Sequence, residues 1–330
     1  MNKKILIGVI IILAIGALAW YGISVLNKPK MSEKPIKVGV VLYPDFGTPY
    51  ISQEKGFFTD EGIKVEIVML PVETMVPALE SGQVDMLVGS IDMMPVIADA
   101  NINAKAILST GISYGADGIV VKNNINSIND LKGQKVYLAY GFPGHFLFRF
   151  LSERAGLSYS DVELVNLNPD DVGSSFISGS INAGVTWEPW LSKATERTDG
   201  KVLLTSREQP GIITDIIMAR TDVLETRKED VKRFMRGFFK GVDYWASHVD
   251  EGNAIIAKNF NLTKDEFAPM YDTIKLSNYN FNLEKFDKTK SLNVFELVNK
   301  SGEVYLNDGI IKAKPDADKL IDTSFLKELY

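Results

Sequence analysis

Two loops in this chain gather the same kinds of chemistry. They read Tyr43-Pro44-Asp45-Phe46-Gly47-Thr48 and Tyr140-Gly141-Phe142-Pro143-Gly144-His145. Each combines an aromatic ring, a glycine and the start of an expected helix. Backbone N–H groups at a helix start lack intrahelical partners, and they favour an anion by about 0.3–1 kcal/mol. Tyr43, Asp45, Gly47 and Thr48 in one loop, and Tyr140, Gly144 and His145 in the other, are therefore candidate ligand contacts. The same pattern also serves as a tight strand-to-helix turn that binds nothing. Its paired occurrence favours the binding role.

A second pair of loops reads Gly89-Ser90-Ile91-Asp92 and Thr186-Trp187-Glu188-Pro189-Trp190. The hydroxyls of Ser90 and Thr186 can donate to a ligand oxygen, and Trp187 can wall an apolar or cationic group. Glu188 suits a ligand ammonium, or it faces solvent. Asp92 is read as a helix N-cap, and Asp85 as a structural turn residue. Asp215 interrupts the apolar run Ile212-Ile213-Thr214-Asp215-Ile216-Ile217-Met218. A buried carboxylate needs a partner, so Asp215 either has one or faces a cleft. Tyr114 is a further candidate contact, and Asp117 beside it has a weaker claim.

Several chemistries are excluded. The chain has no cysteine, which removes disulfides, thiolate metal sites, thiol nucleophiles and lipoprotein acylation. Its two histidines, His145 and His248, leave little for a metal centre. There is no phosphate loop, nucleophile elbow, zinc-binding His pair or dinucleotide fingerprint. No cofactor is expected, and no catalytic residue is assigned. His145 lacks an orienting acid in the sequence and reads better as a hydrogen-bond donor than as a general base.

The elements that must position these loops alternate strand and helix. Residues 36–42, 65–70, 86–89 and 104–110 read as strands, with helices at 48–57, 73–80 and 92–100 between them. That pattern indicates βαβ units and a mostly parallel sheet. The pattern restarts at 135–140 and continues with a helix at 146–155, a strand at 162–167, a helix at 172–178 and a strand at 183–187. An offset of 97 residues aligns Tyr43 with Tyr140, Gly47 with Gly144, and Val65-Glu66-Ile67-Val68 with Val162-Glu163-Leu164-Val165. It also sets Ser81-Gly82 on Ser178-Gly179. Shared turn glycines answer backbone requirements, so a duplicated half is expected, folded as two lobes. A strand at 211–219 follows, then helices at 228–249, 251–259, 264–274 and 283–298. Val231, Phe234, Met235, Phe238, Val242 and Trp245 recur at helical spacing and are assigned to the core. Entry into a second lobe and return requires two crossing segments, near 115–121 and 210–215, which form a hinge.

Lys3 and Lys4 precede an uncharged run from Ile5 to Leu26. Its length suits a membrane-spanning anchor with a cytoplasmic amino terminus. Ala17-Leu18-Ala19 alternatively supplies a signal-peptide cleavage site. Either way the remainder lies outside the cytoplasm. The first thirty residues carry four of the 36 basic residues and none of the 42 acidic ones, so the rest has a balance of −10. That charge disfavours nucleic acid as a partner.

Four motifs carry a resemblance. Gln53-Glu54-Lys55-Gly56-Phe57-Phe58, continuing through Glu61-Gly62-Ile63, resembles a hallmark of ABC-importer solute-binding proteins for nitrate, alkanesulfonates, taurine and thiamine pyrimidine precursors. Ser81-Gly82-Gln83-Val84-Asp85 and Asp130-Leu131-Lys132-Gly133-Gln134 do likewise, and Trp187-Glu188-Pro189-Trp190 is similar to the family's second-lobe loop. The resemblance implies a type II periplasmic-binding fold, α/β, with two βαβ lobes joined by a hinge. The residues themselves divide the chain into 1–26 as signal or anchor, 27–35 as linker, 36–117 with 215–330 as lobe 1, and 118–214 as lobe 2. The resemblance further implies a small organic solute, sulfonate- or taurine-like, held between the lobes and delivered to a permease with its ATPase subunit. A thiamine pyrimidine precursor is the alternative solute. A pyrimidine-precursor synthase resembles this fold but carries a cysteine-rich motif that this chain lacks. A sensor ectodomain, signalling through a partner, is a further alternative.

Overall fold

The computed structural model describes residues 30–330, so the expected anchor at 1–26 lies outside the described residues. Among the described residues no helix is long and apolar enough to cross a membrane. The expected linker at 27–35 is not free along its whole length. Ser32 is buried, donates its N–H to Gly62 O at 2.8 Å and accepts the Lys64 N–H on its hydroxyl at 3.0 Å.

Among the described residues eleven strands form two sheets. In chain order they are β1 (Ile36–Val40), β2 (Val65–Met69), β3 (Met86–Ser90), β4 (Ala104–Ser113), β5 (Asp117–Lys122), β6 (Lys135–Leu138), β7 (Glu163–Asn166), β8 (Ala183–Trp187), β9 (Gly200–Thr205), β10 (Thr214–Arg220) and β11 (Ile274–Leu276). The first sheet has the order β11-β4-β10-β3-β1-β2, the second β7-β6-β8-β5-β9. β1 pairs in parallel with β2 and β3, as β6 does with β7 and β8. β10 lies antiparallel between β3 and β4, and β5 lies antiparallel between β8 and β9. The two sheets therefore share one design, each completed by an antiparallel strand inserted after a crossing.

The 97-residue offset carries β3 onto β8 residue for residue. It also relates Gly82 to Gly179, which have φ of +75° and +81°. Those values lie where a side chain is disfavoured, which explains why both turns keep glycine. β5, β9 and β11 were not anticipated as strands. The antiparallel insertions depend on which lobe the chain has entered, a relation that local periodicity does not carry.

Between the strands run α1 (Thr48–Glu54), α2 (Met75–Glu80), α3 (Pro143–Arg154) and α4 (Pro169–Ile177). The carboxyl-terminal third adds α5 (Lys228–Ser247), α6 (Val249–Asn259), α7 (Lys264–Tyr271), α8 (Tyr279–Lys285) and α9 (Val294–Asn307). α5 buries Val231, Phe234, Met235, Phe238, Val242 and Trp245 as its spacing requires. Truncating a buried aromatic of this kind costs about 3–5 kcal/mol. The single helix expected at 283–298 is instead α8 and α9. Asn293 accepts the N–H groups of Phe295 and Glu296 at 3.0 Å each, capping α9 and interrupting the helix.

The chain leaves the first sheet after Ser113 and returns at Thr214. Asp117 thus pairs in the second sheet and Thr214 in the first, each one residue across the boundary expected at 117/118 and 214/215. The crossing segments touch, with the Ser113 and Ser206 hydroxyls 2.7 Å apart.

Candidate functional site

The carboxyl ends of β1, β3 and β8, and the first residues of β5 and β10, converge where the lobes meet. Ligands in open α/β sheets collect at such strand ends. Tyr43 follows β1 and donates its hydroxyl to Asp117 Oδ2 at 2.7 Å, joining one lobe to the other. Its ring lies 5.8 Å from that of Trp187 at the end of β8, edge to face, and 4.9 Å from Phe46. Trp187 is held by its indole N–H donating to Asp170 at 3.2 Å.

Duplication repeats the acids as well as the strands. Asp215 opposes Ser90 in the β10–β3 pair, and Asp117 opposes Trp187 in the β5–β8 pair. Ser90 and Trp187 are themselves related by the 97-residue offset. Asp45 and Asp92 complete the cluster, and all four carboxylates are buried. Asp45 accepts the Thr110 hydroxyl at 2.5 Å, and Asp92 accepts the hydroxyls of Ser90 and, at 2.9 Å, Tyr305. Among the described residues Asp45 Oδ1 and Asp215 Oδ2 have no hydrogen-bond partner. Room for Asp45 depends on Gly111 of β4: a Cβ there would meet Asp45 Oδ2 at 2.7 Å and Lys275 O at 3.1 Å.

Burial disfavours the charged form and raises a carboxyl's pKa, as does a neighbouring like charge. Asp45 is pushed up to about 7 by burial and, more weakly, by the charge of Asp117. Asp92 and Asp117 are each raised to about 6, chiefly by burial. Asp215 is raised by burial and by Asp45, Asp117 and Asp92. Hydroxyl donors pull against this at Asp45, Asp92 and Asp117, but none does so at Asp215.

A second set of contacts joins the lobes away from these acids. Asp308, just after α9, accepts from Arg149 through Nε at 2.8 Å and Nη2 at 2.6 Å. It also lies 2.8 Å from His145 Nε2. Gly141 N–H points at His145 Nδ1 at 3.3 Å, so Nδ1 accepts and Nε2 carries the proton donated to Asp308. Burial holds His145 below its usual range, while the Arg149 and His145 partners hold Asp308 down against its own burial. The Tyr305 hydroxyl lies 3.2 Å from Phe142 O, a further contact between lobes.

The expected residues fall into distinct groups. Tyr43, Asp45, Ser90, Trp187 and Asp215 converge at the lobe junction. Glu188 is nearby and raises the Asp117 carboxyl, but its own oxygens accept from the Ser192 N–H and hydroxyl at 3.1 and 3.0 Å. The other expected residues have neighbours or partners of their own. Gly47 and Gly144 are closely packed, since a Cβ would meet Ile256 Cγ2 at 2.3 Å and Val185 Cγ1 at 3.0 Å. The Thr48 hydroxyl donates to Asp45 O at 2.8 Å, and that of Thr186 to Pro169 O at 2.7 Å. Tyr140 spends its hydroxyl on Leu164 O at 2.8 Å. Tyr114 has Lys275 Nζ 3.8 Å and Arg207 4.6 Å from its ring centre. His145 meets Asp308 and not the acid cluster. Asp92 caps nothing; Ser90 occupies the N-cap position.

Asp117, given a weaker claim from the sequence, is central, and Thr110, Tyr305, Arg149 and Asp308 were missed. Asp117 and Asp215 each lie at the start of an inserted strand and 98 residues apart. That near-match to the repeat was the available signal.

Two α/β lobes, two crossings and a junction lined from both sides define the periplasmic-binding class of fold. Residues 43–252 match the NMT1/THI5-like family, and the chain belongs to it. A curated relative, a putative aliphatic sulfonates-binding protein of Bacillus subtilis, is 28% identical over 335 residues, covering 97% of this chain and 95% of its own. The taurine-binding periplasmic protein of Escherichia coli is 29% identical over 168 residues, covering 49% and 51%. The crystal structure of the periplasmic aliphatic sulphonate binding protein SsuA from Escherichia coli superposes with a TM-score of 0.71 at 19% identity, covering 88% of this chain and 93% of that one.

Proposed function

We propose that this chain is an extracytoplasmic receptor for a small organic solute, held between the lobes and delivered to an ABC permease driven by its ATPase. One observation carries the reading: Tyr43 of the first lobe and Asp117 of the second are hydrogen-bonded inside a junction whose polar groups come from both lobes. A ligand that contacts both sides favours the closed arrangement and shifts the population toward it. The crossings tied at Ser113 and Ser206 are the natural hinge. The role is passive, and the protein is held at the outer face of the membrane or released beyond it. Relatives named for aliphatic sulfonates and taurine support solutes of that size.

A thiamine pyrimidine precursor is the second reading. It is favoured by the ring walls of Tyr43 and Trp187 beside carboxylates able to accept from an amino group.

The test is a thermal-shift screen of purified protein against sulfonates, nitrate, amines and pyrimidines. A ligand at a hundred times its dissociation constant adds about 2.7 kcal/mol. The bound compound should be recovered unchanged, and Trp187→Ala should abolish the shift. Binding that survives Trp187→Ala in full would place the solute elsewhere. Stimulation of ATP hydrolysis by the loaded protein, with any permease and ATPase found encoded beside it, would distinguish an importer from a sensor.

A further inference from the structure

We infer that the solute is an organic cation bearing N–H donors, an ammonium, amidinium or guanidinium group, and that Asp45 and Asp215 are its principal acceptors. The inference rests on the receptor reading and specifies its ligand.

Asp45 Oδ1 and Asp215 Oδ2 are buried acceptors without partners among the described residues, on residues that are 0% and 2% exposed. Leaving a buried acceptor unsatisfied costs the full desolvation of that group. The two residues come from different segments, the loop after β1 and the start of β10, yet each acts on the same surroundings. The charges that act on Asp215 are those of Asp45, Asp117 and Asp92, and the charges acting on Asp117 and Asp92 are again acidic. The hydroxyl donors already present are committed: Thr110 to Asp45, Tyr43 to Asp117, and Ser90 with Tyr305 to Asp92. What the site lacks is donors and positive charge together.

A sulfonate or nitrate brings neither. Placed beside these carboxylates it would add like charge to a buried acidic group, and its oxygens would find acceptors. The protein's own cations near the crossing, Lys275 and Arg207, are turned onto the Tyr114 ring. A primary ammonium or a planar amidinium presents two or more N–H groups, one for each orphaned oxygen. The rings of Tyr43, Phe46 and Trp187 offer π faces and edges to its apolar remainder. Among the described residues no three His, Asp or Glu side chains are placed to share a metal ion, which favours an organic cation.

The experiment is calorimetry and thermal shift on full-length protein purified in mild detergent. The probes are methylguanidine, putrescine and ethanolamine as cations, ethanesulfonate and nitrate as anions, taurine as zwitterion, and zinc chloride. At least one cation should raise the melting temperature while both simple anions do nothing. Binding near neutral pH should release protons, read as a dependence of the enthalpy on buffer. Asp45→Asn and Asp215→Asn should each weaken that cation at least about tenfold while circular dichroism stays native; either variant binding it as tightly as wild type overturns the assignment. Taurine bound by wild type and lost in both variants supports it, and taurine bound equally by all three overturns it. A response confined to ethanesulfonate or nitrate, or to zinc, overturns the cation and leaves the receptor standing. Silence from every probe overturns both readings.

Discussion

Tyr43 donates its hydroxyl to Asp117 across the junction of the two lobes at 2.7 Å. The bond does two things at once. It satisfies a buried carboxyl, and it spans the gap that opening would create. Tyr43→Phe removes the donor and keeps the ring against Trp187. A hydrogen bond to a charged or partly charged group contributes about 1.5–3 kcal/mol. The variant should bind solute about tenfold more weakly with unchanged secondary structure, as read by calorimetry and circular dichroism. Equal affinity would show that closure does not depend on this bond.

The acid cluster gives the ligand-free closed form a pH dependence of defined sign. Asp45, at about 7, and Asp92 and Asp117, at about 6, stand above the ordinary value of 3.8, and Asp215 is raised with them. Below that ordinary value the groups are protonated in both states, and the stability is fully present. As pH rises toward about 7 the unfolded chain releases protons that the folded one retains, so stability is lost. His145, lowered chiefly by burial against the opposing pull of Asp308, acts oppositely below its usual value of 6.5. Glu188, raised by burial, adds to the acids. The melting temperature of Asp45→Asn relative to wild type should therefore increase between about pH 4 and pH 7. A difference that stays flat across that window would contradict a buried, protonated Asp45.

Gly111→Ala tests the room left for Asp45. Its Cβ would meet the carboxylate at 2.7 Å and the Lys275 carbonyl at 3.1 Å. Overpacking of this kind costs about 1–3 kcal/mol, and displacement of Asp45 should abolish solute binding. Thermal melts and titration read the two effects separately. An alanine that leaves both unchanged would mean that Asp45 does not need its observed position.

Asp308→Ala removes the shared acceptor of Arg149 and His145. Leaving a buried charge without its partner costs about 3–5 kcal/mol. Because Asp308 lies beyond α9 and its partners lie on α3 of the other lobe, the loss falls on the closed arrangement. The radius of gyration from small-angle scattering should rise, and solute affinity should fall. An unchanged radius with a lowered melting temperature would assign Asp308 to the stability of the fold alone.

Much of this was legible in sequence wherever a signal was local or repeated. One offset placed β3 on β8 and the Ser-Gly turns on each other, and it led to Tyr43, Ser90 and Trp187. The sequence was ambiguous where one residue type answers two physical demands. Gly47 and Gly144 look the same whether they expose backbone to an anion or admit a neighbouring side chain, and the neighbours, Ile256 and Val185, are distant in sequence. Asp92 lies where a cap is plausible, and only Tyr305, 213 residues away, shows its different role. Asp117 was underrated because its importance comes from the strand insertion that sets it opposite Trp187.

That insertion also orders the birth of the molecule. β5 through β9 are continuous in the chain, so the second sheet has all its strands once Thr205 has emerged. The first sheet does not. β3 and β4 have no strand between them until β10 arrives, about a hundred residues after β4 ends. Pairings of such long sequence separation form slowly. The earlier-synthesised half therefore waits for the later one, and a nascent chain halted before Thr214 keeps the edges of β3 and β4 unzipped.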